Sequence, residues 1–360
     1  MRNTFLVAWS LMLICAVMPF NVASAKPLNP ADLPSDAKWV IHIDFDVLSD
    51  TEFASHIREQ RPEMTRQIRH WMQEQYGINP QQDLHGLTMF SDTYESHSGA
   101  VIVNASFNRS KVESEFASKK DVQKSQTQNH TFYTWDVTKN LDSAIYGDLR
   151  RKLDQTPTTF TTDDRQTRER VSDRPDRSRG GSQDRKPVTA VLVDRQTIVF
   201  APTMERAKAV VRLLDGETES LEGIESRLTA GIPQDAFCYG AAIELSKIKQ
   251  HDGIFPILKQ HDHIRWAIGE SQGQMFEKVT LVAQDEQVAS QMKNAVEGLV
   301  SLINVWAADA EHLSKLYQQN LSIRQDGQHL MIDWQGDSHD VFAALQEVRE
   351  RMVQWKRAMN

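Results

Sequence analysis

Cysteine is nearly absent from this 360-residue chain, which holds only Cys15 and Cys238. Basic residues are not in excess either: 41 Lys and Arg stand against 49 Asp and Glu, for a net charge of -8. Nucleic acid is therefore not an expected partner, because a phosphate backbone is met by a basic footprint. Long apolar runs are also scarce. Beyond Phe20 no second one occurs, so no membrane span is expected in the mature chain.

The exception to that last absence lies at the start. Arg2 supplies a positive charge, and Phe5 to Phe20 form an apolar stretch broken only by Ser10 and closed by Pro19. Ala23-Ser24-Ala25 follows as a small-x-small cleavage site. The stretch is shorter than the roughly 20 residues that cross a bilayer core. Residues 1–25 thus read as a cleavable secretory signal peptide, cut between Ala25 and Lys26. Cys15 would leave with it, and Ile14 before Cys15 does not fit a lipidation site. A lone Cys238 forms no internal disulfide, so the mature fold must rest on core burial.

What remains reads as two passes of one grammar. Leu33-Pro34-Ser35-Asp36-Ala37 opens the first and Ile232-Pro233-Gln234-Asp235-Ala236 the second, each leading into a strand. In the first strand Trp39, Ile41, Ile43 and Phe45 alternate with Val40, His42, Asp44 and Asp46, a period of two. Each pass then runs helix, hairpin, helix, hairpin, helix. Asp326-Gly327 marks the last hairpin, and a stripe of Val288, Met292, Val296, Leu299, Ile303 and Trp306 marks the helix before it. The final helix carries Val341, Leu345, Val348, Met352 and Trp355. The expected class is α+β: a first repeat over 26–216, a linker over 217–232 and a second repeat over 233–360. Each repeat is an antiparallel sheet with helices on one face. The first holds an insertion near 155–187. From Asp163 to Lys186 it carries eight basic and six acidic residues with almost nothing apolar, a composition expected to be disordered.

Three constellations could carry chemistry. Gly269-Glu270-Ser271-Gln272-Gly273 matches the nucleophile elbow of α/β-hydrolases, with Asp333 and His339 following in triad order. An elbow needs a helix after the serine. Here Phe276 to Val282 alternates as a strand, so a plain hairpin loop is expected, with Ser271 only a weak catalytic candidate. His251, His261 and His263 are weak metal candidates, since His-x-His can ligate zinc from one strand face. No cysteine pair or His-Glu-x-x-His helix completes such a site, and no cofactor is expected. His42, Asp44 and Asp46, at i, i+2 and i+4, read as a solvated strand face whose acids cap the next helix.

The paired Pro-x-Asp-Ala openings, the strand end Ile43-Asp44-Phe45-Asp46-Val47-Leu48, and Leu213-Leu214-Asp215-Gly216 leading to Leu221 resemble a family of exported bacterial proteins. Its members are duplicated, uncharacterised and without an assigned activity. The resemblance implies a bacterial host and a periplasmic or extracellular location. The expected role is that of an exported, non-enzymatic protein that binds a protein or envelope partner. A serine hydrolase using Ser271 and a metal enzyme using His251, His261 and His263 are the alternatives. N-terminal sequencing of protein recovered from an exporting cell should begin at Lys26. Met1 retained on a membrane-bound form would make the segment an anchor.

Overall fold

Alternation builds the first strand as expected. Trp39–Asp44 form β1, and the chain turns at once into α1 (Phe45–Ser49), where the Asp44 carboxylate accepts from the Val47 N–H at 2.9 Å. Thr51 caps α2 (Glu52–Gln60), Pro62 begins α3 (Pro62–Tyr76), and Gly77 ends α3 at φ 68°. A left-handed residue there suits glycine, which has no Cβ to clash. Next come α4 (Pro80–Asp83), β2 (Leu84–Ser91), β3 (Ala100–Ala105), α5 (Arg109–Ala117), β4 (Gln123–Thr127) and β5 (His130–Asp136). The first half closes with β6 (Pro187–Leu192), β7 (Thr197–Ala201) and α6 (Met204–Leu214). The second comprises β8 (Ala236–Ile243), β9 (His261–Ser271), β10 (Gln274–Ala283), α7 (Glu286–Trp306), β11 (Leu321–Asp326), β12 (His329–Asp337) and α8 (Ser338–Ala358).

This computed structural model describes residues 27–95, 98–127, 129–137, 187–248, 259–306 and 320–358, with a few positions between 310 and 316. The expected signal peptide, the insertion up to residue 186 and His251 lie outside the described residues, as do the side chains of Trp306, Met352 and Trp355.

Among the described residues the strands form one antiparallel sheet of twelve, in the order β11-β12-β10-β9-β8-β1-β2-β3-β7-β6-β5-β4. The class is α+β, but the two separate sheets expected from the sequence are joined. β1 and β8 pair antiparallel, Trp39 opposite Ala242 and Ile43 opposite Cys238. Both strands are largely buried. Pairing them removes two apolar edges that would otherwise stand open to other chains. Outward from this seam the order is β1-β2-β3-β7-β6 on one side and β8-β9-β10-β12-β11 on the other. The β4–β5 hairpin extends the first half alone.

Helices cover both faces rather than one. Ile198 packs with Val112 and Phe116 of α5, whereas its neighbour Val199 packs with Ala207, Val210 and Val211 of α6. Adjacent strand residues point to opposite faces, so α5 and α6 lie on opposite sides of the sheet. The expected linker is part of the α6 side. Leu221 and Leu228 are buried there beside Leu33 and Val40, and the Leu221 N–H donates to the Leu33 carbonyl at 2.9 Å. The remaining long helices, α2, α3, α7 and α8, sit on the other face. There Phe53, Ile57, Ile68, Val341 and Ala344 close one core, and Met292 of α7 meets Leu281 and Leu330 in another.

Close approach at the centre depends on Gly240. A Cβ there would meet the Trp266 indole at 2.3 Å from Nε1 and 2.4 Å from Cε2. An indole flanked by two paired strands has little room to yield. Gly240→Ala should cost about 1–3 kcal/mol, measured as a lower urea midpoint, and Trp266→Leu added to it should recover part of the loss.

Candidate functional site

The Gly-Glu-Ser-Gln-Gly segment is a hairpin. Ser271 pairs with Gln274, and Gln272 and Gly273 form the two-residue turn at φ 54° and 72°. Positive φ at both positions is the primed geometry that matches strand twist. No helix follows the serine, which is exposed. Asp333 lies four residues along β12 from Asp337, the partner of Gln274, which is roughly 13 Å at strand rise. It is ion-paired to Arg324 at 2.6 Å. His339 stacks edge-on with His56 at 5.5 Å between centroids. Ser271, Asp333 and His339 are not brought together.

The residue of that segment with a defined task is Glu270. Its carboxylate accepts from the Glu52 N–H at 2.6 Å, the Phe53 N–H at 3.0 Å and the Ser338 hydroxyl at 2.8 Å. The Gly273 carbonyl accepts from the Ser338 N–H at 3.0 Å. One hairpin tip thereby satisfies the N-terminus of α2 from the first half and braces the start of α8 from the second. The carboxylate also complements the positive end of α2.

His261 and His263 are both buried on β9. Their β10 partners, Ala283 for His261 and Val282 for His263, are adjacent residues across a register shift at Asp262, so the spacing of two does not bring the imidazoles onto one face. Burial and the nearby Arg265 and Arg227 hold the His263 imidazole below its ordinary pKa, and Arg227 is paired with Asp262. Among the described residues no group of three or more His, Cys, Asp or Glu side chains is arranged to hold a metal.

The third constellation differs most from its expectation. Asp46 is not on the strand, because β1 ends at Asp44 and Asp46 falls in the first turn of α1. Nor is this face solvated: His42 is 5 % exposed, Asp44 3 % and Asp46 7 %. The cause is α1, which folds back over the strand end, while β2 and β8 flank β1. His42 Nδ1 lies 2.9 Å from the Thr88 hydroxyl across the β1–β2 ladder. Asp46 meets His85, whose Nδ1 is 3.3 Å from each carboxylate oxygen. His85 Nε2 is 3.0 Å from the Ser106 hydroxyl. Burial raises the Asp46 carboxyl to about 6 against the pull of His85, and burial raises Asp44 as well.

Sequence reasoning missed His85 and Ser106. His85 stands where β2 slips against β3, between the pairs Leu84–Ala105 and Gly86–Asn104. It is the extra residue of a β-bulge, and a bulge re-aims the side chain it carries. Nothing in a run such as Leu84-His85-Gly86 announces that slip, although a glycine inside a strand pattern is a weak sign of it.

A further feature is a surface. The α7 stripe expected from the sequence runs into the core at Met292 and, partly, at Val296. Of the expected stripe beyond that point Ile303 is half-buried, while the exposed apolar side chains are Leu299 at 58 %, Leu302 at 69 % and Val305 at 78 %. These three are spaced i, i+3 and i+6, so they lie along one side of the helix.

Comparison with known proteins adds little. No family model matches the chain, and no curated protein matches it. Two crystal forms of a protein named TP0453 are similar at 8 % identity. Form I has a TM-score of 0.39, covering 90 % of this chain and 98 % of that one. Form III has a TM-score of 0.40, covering 91 % and 100 %. So distant a likeness carries no argument about function. Among the described residues no helix is long and apolar enough to cross a membrane.

The Asp46 carboxyl makes a prediction about pH. Its folded pKa of about 6 lies above the ordinary 3.8, so the native state holds the proton more tightly than the unfolded chain. Stability from this group is full below about pH 4 and is lost as pH rises through about 6. Asp46→Asn cannot ionise and should gain on the wild type across that window. Denaturant midpoints of both proteins at pH 4 and pH 7.5 check it; an unchanged gap would mean Asp46 titrates as in the unfolded chain.

Proposed function

We propose that this is an exported protein of the bacterial envelope that works by binding a partner, with the outer side of α7 as its contact. The observation that carries this reading is the exposure of Leu299, Leu302 and Val305 on a helix that packs on the sheet through Met292 and Val296. A contiguous apolar surface left in water favours association. Covering each such side chain is worth about 1.5–3 kcal/mol at full burial. The export half of the reading rests on the Ala23-Ser24-Ala25 site behind a short apolar stretch.

The same reading includes an internal duplication. Its support is the identical order of β1-β2-β3-β7-β6 and β8-β9-β10-β12-β11 about the β1–β8 seam. The β4–β5 hairpin and the insertion before β6 are then additions to the first copy. The placing of α6 and α8 on opposite faces is where the copies have diverged.

The test is a pair of substitutions. Leu299→Asp with Leu302→Asp should leave the thermal midpoint within a few degrees, because both side chains are exposed already. A photo-reactive residue at Val305, expressed in the exporting cell, should form one discrete crosslinked species that the double variant loses. Crosslinking that persists in the double variant would remove α7 as the contact, and a large loss of stability would show that the two leucines belong to the core.

A further inference from the structure

The ends of three neighbouring strands meet at one place. Asp46 lies just beyond β1, His85 at the start of β2 and Ser106 just beyond β3. From these we infer that Ser106 is a nucleophile, with His85 as its base and Asp46 as the group that orients the base, in a site for acyl transfer from carboxylic esters. The site goes beyond the docking reading and shares no residue with α7.

The roles follow from geometry. A serine hydroxyl is a weak nucleophile until a base within hydrogen-bond reach takes its proton, and that base needs a third group to fix its tautomer. Ser106 Oγ lies 3.0 Å from His85 Nε2. The opposite ring nitrogen, Nδ1, lies 3.3 Å from both oxygens of Asp46. A carboxylate on Nδ1 keeps the proton there and leaves Nε2 as the acceptor facing the serine. Exposure is graded to match. The Asp46 side chain is 8 % exposed and that of His85 12 %, while Ser106 is only half-buried and so can be reached.

The backbone holds this arrangement from two sides. The bulge at Leu84 and Gly86 aims His85. The Ser106 N–H donates to the Asp83 carbonyl at 2.6 Å, which ties the serine to the residue two before His85 in the chain. Beyond Ser106 the chain enters α5 at Arg109 after its Asn108 cap. A helix N-terminus favours negative charge, and a developing oxyanion is such a charge.

The reaction balances without a further reagent. Ser106 Oγ bonds to the ester carbonyl carbon as its proton passes to His85 Nε2. The C–O bond to the alcohol then breaks, and the alcohol leaves with that proton. Water repeats the sequence on the acyl-serine, giving up its proton to His85, and releases the acid. Asp46 stays ionised beside the imidazolium throughout.

A fluorophosphonate probe on the full chain, with peptide mapping by mass spectrometry, tests this. One adduct per chain is expected on Ser106 and none on Ser271, with slow release of nitrophenol from p-nitrophenyl acetate. Ser106→Ala should abolish both signals while keeping the thermal midpoint, and Ser271→Ala should change neither. His85→Gln and Asp46→Asn should each slow labelling at least about 100-fold. No adduct, an adduct on another serine, or wild-type labelling in His85→Gln would each overturn the assignment. Mapping of the wild type needs no variant to fold, and Leu299→Asp with Leu302→Asp should label normally, which separates this test from that of the docking face.

Discussion

The pairing of β1 with β8 is the constraint on which the rest depends. Each half of the chain carries a buried strand at its inner edge, and neither could stand exposed without inviting another chain. Joined, they make one sheet, in which Gly240 lies opposite Ile41 across the seam and against the Trp266 indole of β9 on its other side, where no side chain fits. The hairpin tip at Glu270 and Gly273 then straps the same two halves a second time, through the N-termini of α2 and α8. A carboxylate does this well because it accepts several bonds at once and meets a helix end of the opposite sign.

That seam also explains why acids are buried at the end of β1. A central strand has neighbours on both sides, and α1 closes over its end, so Asp44 and Asp46 lose water whatever their preference. Asp44 recovers by capping α1 and Asp46 by meeting His85. The residual cost appears as raised carboxyl pKa values. Buried polar groups held in this way form a connected arrangement, and a serine at its accessible end completes the order acid, imidazole, hydroxyl.

The apolar side of α7 has a different origin. A helix on a sheet needs a stripe about as wide as the contact beneath it. α7 continues apolar past that contact, through Leu299 and Leu302 to Val305. Surplus apolar surface is costly to leave in water, which is the physical ground for reading it as a contact face.

Much that is local was legible in the sequence. The period of two marked β1, Asp44 stood where a cap belongs, and the strand after Gly273 showed that Ser271 sits in a hairpin. Even the last hairpin was placed to within one residue, its turn being Gly327-Gln328 rather than Asp326-Gly327. These features depend on a few adjacent residues, so adjacent residues specify them. The single sheet, the side on which α6 packs, the point where the α7 stripe leaves the core, and the meeting of Asp46, His85 and Ser106 were decided only by the tertiary structure. Each depends on which strand edges pair and where a register slips by one residue. Such outcomes are set by competing contacts between segments far apart in the chain, and local periodicity is the same for every candidate pairing.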